Sequence, residues 1–278
     1  MKKLGIIIDS FSGVKREFAE SLGFGFLSLQ SDIDKKIYYD GQDDSQEILG
    51  VLAKAKDYRT SLPRLDQIED TITEFSNQYE NVIMILISKN LSSTASHAEA
   101  FSNQFKNVFV LDNHFTGYQV IEVAQKLQDL YEQGMSISEL QAYVEDLRQK
   151  TFTLIVPKNL DFLINGGRLT GAKKFIMTKI QMIPTIKYDG SASVSALRRS
   201  TKTAISKIFE KYIKTIGEEN IKNYTFKWIH GIDDEINKEV VEQAQKHNIV
   251  LDHEQYTSTA VAIHCGPEAI AITAMPKL

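Results

Sequence analysis

The side chains in this sequence that could grip a small anion are hydroxyls and one histidine. Thr60-Ser61-Leu62-Pro63 and Leu91-Ser92-Ser93-Thr94 each stand just before a stretch with helical spacing. A helix start presents free N–H donors and the positive end of a dipole, and nearby hydroxyls add donors, so such a cluster can receive a carboxylate or a phosphate. Each cluster taken alone reads equally as an N-cap and a turn. His264-Cys265-Gly266-Pro267 places an imidazole at what reads as a strand end running into a turn. Asn165-Gly166-Gly167-Arg168 joins a tight turn to a guanidinium. Arg198-Arg199 with Lys202 reads as a solvated helix start rather than an anion patch.

Familiar catalytic machinery is missing. The sequence has no G-x-x-x-x-G-K-[ST] or G-x-G-x-x-G phosphate loop and no G-x-S-x-G nucleophile elbow. None of its six histidines falls in an H-E-x-x-H spacing, and Cys265 is the single cysteine. Neither an internal disulfide nor a cysteine-based metal cage can form, so no catalytic residue and no metal ligand is nominated.

Composition narrows the partners. The 278 residues carry a net charge of −4, with 42% hydrophobic and 24% charged residues. That is an ordinary globular balance with enough apolar material for a full core. A mildly acidic chain has no bulk attraction for nucleic acid, which argues against that partner. The apolar run after Met1-Lys2-Lys3 ends at Asp9, too short for a signal peptide, and no run reaches a membrane-spanning length. A cytoplasmic protein is expected.

The elements that must position these groups fall into two patterns. Leu4–Ile8, Val82–Ile87 and Val108–Leu111 are unbroken apolar runs, each ending in polar residues, as buried parallel strands do. Between and after them Leu65, Ile68, Ile72 and Phe75, then Val120, Val123, Ala124 and Leu127, repeat at helical steps. Ser136 and Glu139 have capping-box spacing. Alternating strands and helices predict a Rossmann-like parallel sheet with helices on both faces, whose ligands collect at the carboxyl ends of the strands. Beyond about residue 155 the pattern changes. Ile183–Ile186 and Val194–Leu197 flank an Asp189-Gly190 turn, a hairpin signal, and helices are expected near Thr201–Ile216 and Asp234–His247. Strands are expected at Tyr224–Ile229, Ile249–Leu251, Val261–His264 and Ile270–Ala274. The fold class is therefore α/β in two domains. Residues 1–155 form the parallel-sheet domain and 156–278 a mixed or antiparallel sheet with helices.

Taken in order, Asp9-Ser10, Thr60-Ser61-Leu62-Pro63, Ile87-Ser88, Leu91-Ser92-Ser93-Thr94, Asp112-Asn113, Leu163–Leu169 with its Gly-Gly-Arg, Pro184, Asp189-Gly190, Arg199 and His264-Cys265-Gly266-Pro267 closely resemble the DegV family across the whole chain. The resemblance implies a non-catalytic fatty-acid-binding protein, similar to the lipid-carrying subunit of bacterial fatty acid kinase. It implies a buried acyl chain with the ligand near the junction of the two domains, its carboxylate held by Thr60, Ser92 and His264 with help from Ser61. It implies that Arg168, with Gly166 and Gly167, forms a head-group rim or partner contact. A separate kinase subunit would then be the partner, membrane contact would be transient, and the fatty acid would be a ligand rather than a cofactor. Ser93 and Glu268 depart from the family pattern, each standing where glycine is usual.

Physical chemistry supports such a ligand. An acyl chain of about 16 carbons gains roughly 0.8 kcal/mol per buried methylene, enough to offset association costs of about 4–15 kcal/mol. The carboxylate must be richly hydrogen-bonded or neutralised, which hydroxyls and a titratable imidazole can do while still permitting release. The alternative reading is a small-molecule phosphotransferase acting on its own, and the missing phosphate loop counts against it.

Overall fold

The apolar runs and amphipathic stretches become a three-sheet α/β protein in the computed structural model, which describes residues 2–158, 160–167, 169–170 and 182–278. The first half runs β1 (Lys2–Asp9), α1 (Arg16–Ser21), β2 (Gly25–Leu27), β3 (Gln30–Ile33), β4 (Lys36–Tyr39), α2 (Ser45–Leu52), β5 (Tyr58–Ser61), α3 (Leu65–Gln78), β6 (Tyr79–Ile85), α4 (Thr94–Ser102), β7 (Val108–Val110), α5 (Gln119–Glu132) and α6 (Ile137–Gln149). The second runs β8 (Phe152–Val156), α7 (Asp161–Gly166), β9 (Leu169–Thr170), β10 (Ile183–Tyr188), β11 (Ala192–Arg198), α8 (Thr201–Ile216), β12 (Tyr224–His230), α9 (Asp234–Lys246), β13 (His253–Tyr256), α10 (Thr259–Cys265) and β14 (Ile270–Pro276).

The expected parallel sheet has the order β2-β1-β6-β7, every pair parallel. Ile6, Ile7 and Ile8 of β1 are all buried, because helices cover both faces and leave no side for polar residues. One core cluster joins Ile6 and Ile8 to Val120, Ile121 and Ala124 of α5, and another joins Ile7 to Ile68 and Ile72 of α3. The capping box forms at α6. Ser136 accepts from the Glu139 N–H, and Glu139 accepts from the Ser136 N–H.

The larger sheet has the order β13-β12-β14-β8-β10-β11-β9, with β12–β13 and β11–β9 parallel and the other pairs antiparallel. The expected hairpin is β10–β11, turned at Asp189-Gly190 where Gly190 has φ +100°. Two adjacent rows cross this sheet on one face. Gln255, Ile229, Ala271, Ile155 and Ile186 lie side by side, and two residues along their strands stand His253, Lys227, Thr273, Thr153 and Tyr188.

Three sequence-based expectations are corrected. Val261–His264 is not a strand but part of the helix α10. Ser258 caps it through the Val261 N–H, and Asp40 accepts from the Thr259 and Ala260 N–H groups at 2.8 and 3.0 Å. The strand expected at Ile249–Leu251 forms at His253–Tyr256 instead, the main chain having turned through Asn248 at φ +53°. Thr60 and Ser61 are not a helix start. They belong to β5 in a small antiparallel sheet of order β4-β3-β5, and the N-cap of α3 is Arg64, which makes no side-chain cap bond. That sheet escapes sequence reading because its strands are short and polar. Its apolar anchor is Ile33, packed with Ile48, Leu49 and Leu52 of α2 and with Ala262 and Ile263 of α10.

Candidate ligand cavity

A cavity of about 380 Å³ lies between the carboxyl ends of the parallel strands and the inner face of the larger sheet. This is within the roughly 300–1,000 Å³ typical of small-molecule sites, at the position expected for an open α/β sheet. Phe11, Leu29 and Ile87 follow β1, β2 and β6 and form one wall, while Ile155, Ile186 and Val261 form the other. No Asp, Glu, Lys or Arg lines it among the described residues.

The sequence-nominated hydroxyls and histidine gather at one end. Thr60, Ser61, Ser92 and His264 all line the cavity, and Ser61 is exposed while the other three are half-buried, so this end is the mouth. Thr60 Oγ1 lies 3.0 Å from His264 Nε2, although the residues are 204 positions apart. His264 Nδ1 lies 3.1 Å from the Gly166 carbonyl oxygen. A carbonyl can only accept, so Nδ1 carries the proton. In the neutral ring Nε2 then accepts from the Thr60 hydroxyl. A protonated ring donates there instead and frees that hydroxyl to donate to an anion. Ser92 Oγ accepts from the Thr94 N–H at 3.3 Å and lies 2.9 Å from the hydroxyl of Thr94, which is fully buried. If Thr94 donates to Ser92, the Ser92 proton is free for a ligand. Thr94 belongs to the hydroxyl cluster read from the sequence, but its spacing alone gives it no role apart from that of Ser92.

Local packing holds these parts in place. Asn165 Nδ2 donates to Tyr58 Oη at 3.0 Å, and Phe162 stacks on Tyr58 at 4.9 Å between ring centres, tying α7 to β5 and so to Thr60. Gly166 is required by contact with the imidazole. A Cβ built there would lie 2.7 Å from His264 Nδ1 and 2.9 Å from His264 Cα. Gly166→Ala is therefore expected to push His264 off Thr60. Crystallography of the variant should show that 3.0 Å contact lengthened, and an undisturbed pair would refute the steric argument.

The other nominated residues fare differently. Gly167 ends α7 in the left-handed conformation at φ +66°, with open space around its Cα. Arg168 lies outside the described residues. Ser93 is exposed and lines the mouth, whereas Glu268 is not part of the lining and stands 3.8 Å from Lys158 Nζ. Cys265 lines the cavity as a neutral thiol, since burial pushes its pKa up to about 12.

Two buried carboxylates stand behind the cavity wall. Asp9 accepts from the Ile87 and Phe11 N–H groups at 2.8 and 3.1 Å, and burial, helped by the charge of Asp40, raises its pKa to about 7 against the pull of those bonds. Burial likewise raises Asp40 to about 6, opposed by the N–H groups of Ala260 and Thr259. Asp40 had no sequence signal, its partners being 219 and 220 residues away. Among the described residues no group of side chains could hold a metal ion, and no helix is long and apolar enough to cross a membrane.

Comparison with known proteins agrees with this architecture. A DegV domain-containing protein of Mycoplasmopsis pulmonis is 24% identical over 278 residues, covering 98% of this chain and 94% of that one. The structure of a fatty acid binding DegV family protein from Streptococcus agalactiae superposes with a TM-score of 0.88 at 20% identity, covering all of both chains. A stearic acid-binding protein from Eubacterium ventriosum superposes with a TM-score of 0.84 at 20% identity, covering 100% of this chain and 99% of that one. These likenesses establish the α/β fold. The family model for DegV, described as an uncharacterised protein family, matches residues 3–277, and the chain belongs to the DegV family.

Proposed function

We propose that this chain binds one long-chain fatty acid and presents its carboxylate to a separate kinase subunit. The observation that carries the lipid reading is the cavity itself. It is apolar along its walls and free of charged side chains among the described residues, with Thr60, Ser92 and His264 together at the mouth. Burying methylenes stabilises the complex by roughly 0.8 kcal/mol each, which an uncharged cavity of about 380 Å³ can harvest. The carboxylate would take bonds from Thr60 and Ser92, with the protonated His264 donating to the Thr60 hydroxyl and adding its charge beside the anion, and with Ser61 at the rim. The relatives in Streptococcus agalactiae and Eubacterium ventriosum, described by what they bind, support the same class of ligand.

On this reading the protein performs no chemistry. Gly166 and Gly167, with Arg168 next in sequence, would supply the head-group rim or partner contact for a kinase subunit, and the acyl phosphate would leave on this chain, which would work in the cytoplasm with transient membrane contact. The reading also divides the chain into units 1–155 and 156–278 with the acyl chain between them. Native mass spectrometry of the purified protein tests the lipid reading. The expected result is an added mass of one fatty acid, lost on delipidation and restored by stearate. A lipid-free protein that takes up no stearate by calorimetry sinks it. Incubation with ATP should leave bound stearate unchanged until a kinase subunit is added.

A further inference from the structure

The cavity has a second polar end, opposite the mouth. Thr116, Thr153, Thr257 and Gln255 line it there, and all but Gln255 are buried. Two measures of the fold separate them from His264. Ser258 caps one end of α10 and His264 lies in its last turn, which at about 1.5 Å per residue sets them roughly 9 Å apart. On β8, Val156 pairs with Ile270 near Cys265 while Thr153 pairs with Thr273, a separation of about 10 Å at some 3.3 Å per residue. Between the two ends the floor is the apolar row Ile229, Ala271, Ile155 and Ile186.

The far end is polar where an acyl terminus needs nothing polar. Thr153 and Thr273 are 1% and 0% exposed, in central strands where aliphatic residues would pack as well. Thr153 Oγ1 stands 2.8 Å from Thr273 Oγ1 and 3.3 Å from Thr116 Oγ1, a chain of hydroxyls with more acceptor sites than donors fill. The acceptor of the Thr257 hydroxyl, the Ser258 carbonyl, is at the 3.5 Å limit. Gln255 donates through Nε2 to the Ser12 carbonyl, leaving its buried Oε1 without a partner. The fold makes room for this amide with two left-handed glycines. A Cβ at Gly13 would sit 1.8 Å from Nε2, and one at Gly117 would sit 3.3 Å from Oε1.

We propose that this far end, formed by Thr116, Thr153, Thr257 and Gln255, is a hydroxyl-binding subsite that selects a fatty acid bearing a hydroxyl along its chain. The proposal rests on the lipid-binding reading and deepens it. A plain methylene chain reaching these threonines removes water from them and returns no hydrogen bond. A ligand hydroxyl donates to one oxygen and accepts from another, restoring what desolvation takes away.

Calorimetry with oleic and ricinoleic acids, which differ only by one mid-chain hydroxyl, tests it on the full-length, delipidated protein. Ricinoleate is expected to bind about tenfold more tightly, the factor one buried hydrogen bond supplies. Thr153→Val and, separately, Thr257→Val should bring the two affinities within about twofold of each other, and circular dichroism shows which variants are folded. Oleate binding as tightly as ricinoleate to the unaltered protein overturns the subsite and leaves lipid binding intact. A preference that survives in both folded variants overturns it as well. Failure of both acids to bind overturns the lipid reading itself.

Discussion

His264→Ala should weaken stearate binding on the order of 10- to 100-fold while leaving the fold intact. The size follows from losing the imidazolium charge beside the carboxylate together with the Nε2–H that leaves the Thr60 hydroxyl free to donate, worth about 1.5–3 kcal/mol. The side chain is half-buried, and the Thr60 hydroxyl and the Gly166 carbonyl are among its partners, so removal opens little core. Thr60→Val should lose less, since the imidazole would remain. Calorimetry on both variants, with thermal melts as the control for folding, decides the matter. Stearate affinity within threefold of wild type in folded His264→Ala would remove the imidazole from the site.

The second large effect concerns stability. Asp9 and Asp40 have folded pKa values of about 7 and about 6, both above the ordinary carboxyl value near 3.8. The folded protein therefore holds protons that the unfolded chain releases between pH 4 and 7. Stability is greatest below the unfolded value and falls as pH rises through that window. Acidifying from pH 8 to pH 5 should accordingly stabilise the protein by a few kcal/mol, about 1.4 kcal/mol for each pKa unit regained. Urea melts across this range test it, and Asp9→Asn with Asp40→Asn should flatten the dependence. A wild-type profile that rises toward pH 8 would show that burial does not dominate these groups. Asp40→Ala has a separate consequence. It leaves the Thr259 and Ala260 N–H groups without their acceptor at the start of α10 and should cost about 2 kcal/mol or more. Because α10 carries His264, its loosening should reach the mouth of the cavity too.

Much of this architecture is legible in the order of residues. The parallel strands announce themselves as uninterrupted apolar runs, since burial on both faces leaves no polar position. The β10–β11 hairpin is written in Asp189-Gly190, and α6 in the Ser136–Glu139 spacing. The element around Val261–His264 misleads because a short apolar run fits a strand or a buried helix turn equally well. What tips it to helix is Asp40, a residue from the other half of the chain. The β3-β4-β5 sheet stays hidden for a similar reason. Its strands hold together by backbone pairing and borrow their core from α2 and α10.

The site divides along the same line. Sequence by itself determined the chemical vocabulary, hydroxyls and an imidazole in place of a phosphate loop, a nucleophile elbow or a metal cage, together with the α/β pattern and the family resemblance. These are properties of residue type and of spacing over a few positions. Only the tertiary structure decided that Thr60 meets His264 across 204 residues and that Gly166 must be glycine to let the imidazole in. It alone aligned Thr153 with Thr273 at the far end of the same cavity. The reason is physical. Which remote side chains meet is set by strand register and by how the helices close over the sheets, and both depend on packing summed over the whole molecule.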